Sequence, residues 1–251
     1  MKNSKPSTKR PTKESPEFPM RINRYLATQQ ITTRRSADTL IERGFIYING
    51  TQAKLGDIVN EGDTVEVKNH KAPARVYLAY YKPTGLVTST PKRHEKAIAD
   101  VFHFRPRVSP IGRLDKDSHG IIILTNDGRI TERLLHPDYD HEKEYIVKTE
   151  RPITGTFLKN MSQGVIIGDY KTKPCTVTQV GPKEFRIILT EGKNRQIRRM
   201  TEALDNRVID LKRMRILNVK VGNMRAGMHR KIEGKELEKF LSTIGIKPSR
   251  T

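Results

Sequence analysis

The chain has 251 residues, with 48 Lys and Arg against 28 Asp and Glu for a formal net charge of +20, one cysteine and no tryptophan. Cys175 has no second cysteine to pair with, so an internal disulfide framework is excluded. No apolar run approaches the roughly 20 residues that span a bilayer, and the N-terminus lacks the apolar core of a secretion signal; a cytoplasmic protein is expected. The excess of twenty positive charges makes a nucleic acid the expected partner, since no basic helix carries the apolar face that membrane binding requires.

Residues 1–19 contain Lys, Ser, Thr and four prolines, with almost nothing apolar before Phe18. Such a segment cannot bury enough surface to offset its ordering entropy, and a disordered basic tail is expected there. From 20 to 67 the pattern is compact. Ile22, Tyr25 and Leu26 fall at helical spacing, and a second helix is predicted from Arg34 to Arg43, with Ala37, Leu40 and Ile41 on one face and Thr33 as its cap. Gly44 ends it. Phe45-Ile46-Tyr47-Ile48 followed by Asn49-Gly50 predicts a hairpin, because a type I′ turn needs positive φ at both central positions. Arg21, Arg24, Arg34 and Arg35 lie on or beside the helices, and no acidic residue interrupts 20–33, so these arginines are candidate phosphate contacts. The unit resembles the αL RNA-binding domain first seen in a small-subunit ribosomal protein, in particular through Arg21-Ile22-Asn23-Arg24-Tyr25-Leu26, the Arg34-Arg35 pair and Ile48-Asn49-Gly50.

Residues 68–75 read as a polar linker, and 76–251 as one further domain. Strands are predicted at 76–82, 120–125, 144–149, 175–180, 184–190 and 208–217, and helices at 129–135, 153–162, 194–204 and 235–243. The strands outnumber the helices and do not alternate with them regularly. This favours an α+β fold on a mainly antiparallel, mixed sheet flanked by helices over a doubly wound parallel one.

The chemistry concentrates in Gly112-Arg113-Leu114-Asp115-Lys116-Asp117-Ser118-His119-Gly120, which feeds the apolar run Ile121-Ile122-Ile123-Leu124 and a turn at Thr125-Asn126-Asp127-Gly128. A carboxylate set between two cations is expected to stay ionised, which suits a nucleophile or electrostatic stabiliser. These motifs resemble the catalytic signature of the pseudouridine synthases that act on ribosomal RNA, in the family with an N-terminal αL domain. Lys82-Pro83-x-Gly85, Lys143-Glu144-Tyr145-Ile146-Val147 and Gly192-Lys193-Asn194-Arg195-Gln196-Ile197-Arg198-Arg199-Met200 resemble its other motifs in the same order. The stretches 112–118 and 138–145 look closest to the F-type branch, which modifies large-subunit rRNA.

The resemblance implies isomerisation of uridine to pseudouridine in large-subunit rRNA, by base flipping and without cofactor or metal, in a monomer. It leaves open a transfer RNA as second substrate. It further implies that Asp115 is the nucleophile, attacking C1′ or C6, that Tyr145 stacks on the uracil and helps move the C5 proton, and that Arg198 pairs with Asp115. On the helix at 194–204, Arg195 and Arg199 share a face and are expected to meet RNA. Arg113 is the candidate for filling the vacated stack, and Lys212, Arg213 and Arg215 for contacting backbone on the rim. The competing reading is a noncatalytic RNA-binding factor in ribosome assembly.

Overall fold

The computed structural model describes residues 17–247 except 30, 33, 70–73 and 137–138; the Arg35 side chain also lies outside that description. Most of the expected tail and linker, and the Thr33 cap, fall outside the described residues. The chain forms two compact units, 1–72 and 73–251.

In the first unit, β1 (Met20–Arg21) leads into α1 (Ile22–Thr28) and α2 (Arg34–Glu42), followed by β2 (Ile46–Ile48), β3 (Thr51–Gln52), β4 (Ile58–Val59) and β5 (Val65–Val67). Ile22 and Leu26 of α1 meet Ala37, Leu40 and Ile41 of α2, and Ile46 and Val59 complete a small core. The hairpin closes through Asn49 and Gly50 at φ 49° and 79°, as a type I′ turn demands. Asn49 reinforces it: its side-chain amide donates to Asp63 at 2.8 Å, and its carbonyl oxygen accepts from the Thr64 amide at 2.9 Å.

The second unit contains β6 (Tyr77–Lys82), α3 (Ile98–Val101), β7 (Ser109–Ile111), β8 (His119–Thr125), α4 (Arg129–Leu135), β9 (Lys143–Thr149) and α5 (Gly155–Ser162). These are followed by β10 (Ile166–Ile167), β11 (Tyr170–Lys171), β12 (Thr176–Gly181), β13 (Glu184–Leu189), α6 (Gln196–Glu202), β14 (Val208–Ile216), β15 (Val219–Lys220), β16 (His229–Lys231) and α7 (Gly234–Thr243). Nine strands make one sheet with the order β12-β13-β9-β14-β8-β6-β16, to which β15 and β7 add at β14 and β8. Among the described strands of this sheet only the β14–β8 pairing is parallel, so the fold is α+β on a mixed, mainly antiparallel sheet.

The apolar run of β8 is buried on both faces. Ile121 and Ile123 join the core beneath α4 and α7, while Ile122 and Leu124 pack with Leu78, Tyr80 and Ile98 on the other side. Each such side chain contributes roughly 1.5–3 kcal/mol relative to exposure. That burial makes β8 a rigid base for the loop before it. A third cluster, built on Tyr145, Val147, Phe185, Ile187 and Leu211, lies under α5 and α6 and includes Leu114 from that loop.

Candidate active site

The loop 112–118 runs from β7 to β8 and is fastened from several directions. Thr88 Oγ1 donates to the Leu114 carbonyl at 2.8 Å and accepts from the Leu114 amide at 3.0 Å. The Gly85 amide donates to the Lys116 carbonyl at 2.8 Å, and the Ser118 amide closes a turn on the Asp115 carbonyl at 3.1 Å. Two buried arginines hold the rest. Arg198 donates through Nη2 to the Asp117 carbonyl at 2.9 Å and to Ser118 Oγ at 3.2 Å, and through Nη1 to the Val208 carbonyl. Arg213 donates to the Ile121 carbonyl at 2.7 Å and to the Arg113 carbonyl at 3.2 Å.

A cross-strand row explains how Arg213 gets there. Tyr145 on β9 lies opposite Arg213 on β14, Arg213 opposite Gly120 on β8, and Gly120 opposite Lys82 on β6. At Gly120 a Cβ would stand 2.2 Å from the Arg213 carbonyl oxygen, and φ is +111°, so the close approach requires glycine. Lys82 is fully buried, and its ammonium donates to the carbonyls of Pro83 and Leu86 at 2.8 Å each. Burial pushes it down to about 8, against the opposing pull of the Asp115 carboxylate.

The two aspartates of the loop differ in their engagement. Arg195 grips the Asp117 carboxylate with two bonds of 3.1 Å, and Arg198 Nε lies 3.3 Å from it without hydrogen-bond alignment. Burial works to raise the Asp117 carboxyl, but the Arg195 hydrogen bonds and the charges of both arginines prevail and hold it below its ordinary value. The Asp115 carboxylate, half-buried, has no hydrogen-bond or ion-pair partner among the described residues. It lines a cleft of about 600 Å³ together with Gly85, Thr88, Arg113, Asp117 and Arg195, within the size range of small-molecule sites.

Several expectations need correction. Arg198 pairs with Asp117 rather than Asp115, and acts on the loop backbone. The flanking cations do not bracket Asp115 either, since Lys116 turns to Glu95 at 3.0 Å and Arg113 is exposed. Arg213 is 4% exposed and is spent on the Ile121 and Arg113 carbonyls instead of standing on an outer rim. Arg215 is half-buried between Glu144 and Glu142, at 2.8 and 2.9 Å, and Arg199 donates to the Ile167 carbonyl at 2.8 Å. Lys212 sits 5.5 Å over the Tyr81 ring. Tyr145 is nine-tenths buried, with no partner for its hydroxyl among the described residues. Arg21, Arg24 and Arg34 of the first unit are exposed and unpaired among the described residues. The roles of Thr88 and Lys82 were missed: Thr88 carries no motif signal, and Lys82 stood inside a recognised motif without a task.

A loop held at its backbone with one carboxylate left free over a cleft, in a chain that also carries a separate small unit with exposed arginines, suits an enzyme that works on RNA. Residues 76–203 match the RNA pseudouridylate synthase family and residues 20–65 match the S4 domain; the chain belongs to that synthase family and carries an S4 domain ahead of its catalytic domain. It is 42% identical over 227 residues to the dual-specificity RNA pseudouridine synthase RluF of Escherichia coli K12, covering 88% of this chain and 78% of that one. It is 32% identical over 231 residues to the ribosomal large subunit pseudouridine synthase B of Bacillus subtilis, covering 88% and 95%. The crystal structure of a pseudouridylate synthase superposes with a TM-score of 0.66 at 26% identity, covering 88% of this chain and 99% of that chain.

Proposed function

We propose that the chain converts a specific uridine of large-subunit rRNA to pseudouridine, with Asp115 as nucleophile. The observation that carries this reading is the contrast between the loop aspartates: Asp117 is held by Arg195 and Arg198, whereas Asp115 faces the cleft with its oxygens free. A nucleophile needs an available oxygen on a fixed backbone, and Asp115 has both.

The reaction breaks the N1–C1′ bond, joins C1′ to C5, gives up the C5 proton and takes one proton onto N1, so it is redox-neutral and draws on no outside group. A stacked uridine hides these atoms, and the nucleotide must be flipped into the cleft at a cost of a few kcal/mol. Arg113, exposed at the cleft, is suited to bracing the vacated stack. Arg198 and Arg213 are positioning residues that set the loop. Tyr145 presents little ring surface, so its part is more restricted than a broad stacking platform; its unpartnered hydroxyl favours handling the C5 proton. Arg21, Arg24 and Arg34 would hold RNA phosphates from the S4 domain. A transfer RNA belongs to the proposal as a second substrate, because the name of the Escherichia coli relative records dual specificity; a monomer is the assumed working form. Mapping pseudouridines in rRNA and tRNA from cells with and without the gene tests the reading, and the loss of no rRNA site would overturn it.

A further inference from the structure

The loop that carries Arg195 into the cleft also carries Glu191, Gly192 and Lys193 along a second cavity, of about 150 Å³, whose wall includes Lys143, Tyr170 and Lys173. At roughly 30 Å³ per water this space holds about five waters, enough for a phosphate group and too little for a nucleotide.

Its chemistry favours an anion. Lys143 donates to the His141 carbonyl at 3.0 Å and has no carboxylate partner among the described residues. Burial, with the charge of Arg213, pushes it down to about 8, the mark of an ammonium short of counter-charge. Lys193 stands 4.4 Å over the Tyr170 ring with no carboxylate partner among the described residues. Lys173 is taken by Asp140 at 2.7 Å. The one carboxylate on the wall, Glu191, is buried and already accepts from Tyr170 Oη at 2.5 Å, Gln196 Nε2 at 2.7 Å and the Lys173 amide at 3.0 Å. Three lysines against Glu191 and Asp140 leave one net positive charge, which matches a phosphodiester. Burial works against a charge on His141 and lowers it from its ordinary value, with the positive charge of Lys143 adding to the effect, and these prevail over the Arg133 carbonyl 2.9 Å from its Nε2 and the Asp140 charge, which favour the proton.

We propose that this cavity is a phosphodiester subsite, in which Lys143 and Lys193 hold the backbone phosphate of a nucleotide neighbouring the one that enters the Asp115 cleft. The inference rests on RNA being the substrate. It gives the 191–195 loop a second task, gripping the strand on one side while Arg195 orders Asp117 on the other.

The test uses the full chain and a large-subunit rRNA transcript. Lys193 is exposed, so Lys193→Ala should fold normally, and Lys193→Arg is the conservative control. In Lys193→Ala the dissociation constant should rise several-fold, and the log–log salt slope should flatten by about 0.7–0.9, the loss of one phosphate contact; Lys193→Arg should restore both. Ethylation of one phosphate near the target should weaken wild-type binding and have no further effect on Lys193→Ala. Lys143→Met should abolish the same interference signal. An unchanged slope, or an interference pattern shared by wild type and Lys193→Ala, overturns the subsite. Competition by inorganic phosphate at the cavity without any change in RNA slope would show a free-anion site and also overturn it. Tritium release by the wild type from C5-labelled transcript is read separately, so failure of the isomerisation reading is distinguishable from failure of the subsite.

Discussion

Arg21, Arg24 and Arg34 of the S4 domain stand exposed without partners among the described residues, whereas Arg198, Arg213 and Arg215 of the catalytic domain are buried or half-buried and engaged on carbonyls and carboxylates of their own domain. The residue type is the same, and its use differs with what the fold brings to it. The guanidinium is a rigid fork of five donors, suited equally to a phosphate and to a cluster of loop carbonyls. Where a short domain offers no such carbonyls the arginine faces solvent; where a loop must be held in a fixed shape, arginines become its fasteners.

The same contrast separates Asp115 from Asp117, and breaking it should give the largest effect. Asp115→Asn removes the nucleophile while keeping shape, so C5-tritium release should fall on the order of 10³-fold or more, with RNA affinity within about twofold of wild type. Asp117→Asn should weaken the Arg195 pairing and slow turnover far less, on the order of tenfold. If the two variants lose activity equally, the free carboxylate is not the distinguishing feature.

Substituting a fastener should register as stability as well as rate. Arg213→Met leaves the Ile121 and Arg113 carbonyls without their donor, and each buried unsatisfied group costs about 1–3 kcal/mol. A lowered urea midpoint together with lost turnover is expected, since the Asp115 loop loses one of its fasteners. The triple substitution of Arg21, Arg24 and Arg34 by Ala should do the reverse. Stability should change by less than about 0.5 kcal/mol, as for other surface positions, while the log–log salt slope of RNA binding flattens by about 0.7 per phosphate lost. A triple variant with an unaltered slope would mean that the exposed arginines do not meet RNA.

Much of this architecture was legible in the sequence where the signal is local. Asn49-Gly50 specified its turn by backbone preference, and the run Ile121–Leu124 announced a buried strand. Elements whose pairing is decided elsewhere were not legible. His229–Lys231 has no apolar alternation, yet it forms β16 because the open edge of β6 accepts it. Among the site residues, the motif spacing located the Asp115 loop but could not sort the arginines. The partners of Arg198, Arg213 and Arg215 lie 81, 100 and 71 residues away. No periodicity reads across such a separation, and a turn that points Asp115 and Asp117 to different surroundings cannot be seen from a spacing of two.

A smaller effect tests the buried cations of the catalytic domain against the exposed ones of the S4 domain through pH. Burial, aided by Arg213, lowers Lys143 from 10.5 to about 8. Below about pH 8 its ammonium is charged in both the native and the unfolded chain, and the native state bears the full desolvation penalty. Between about 8 and 10.5 the unfolded chain holds the proton that the native chain releases, so this group's contribution to stability rises with pH across that window. Urea midpoints of wild type and Lys143→Met should therefore converge or cross as pH is raised from about 7.5 to 9.5, the wild type gaining on the order of 1 kcal/mol relative to the variant. Lys82 titrates in the same window in both proteins and cancels from the difference. Substituting Arg24, an exposed cation of the S4 domain, should leave the pH dependence of stability unchanged. Parallel curves for wild type and Lys143→Met would show that Lys143 keeps its ordinary proton affinity, and with it would go the contrast between cations held inside the catalytic domain and those displayed on the S4 surface.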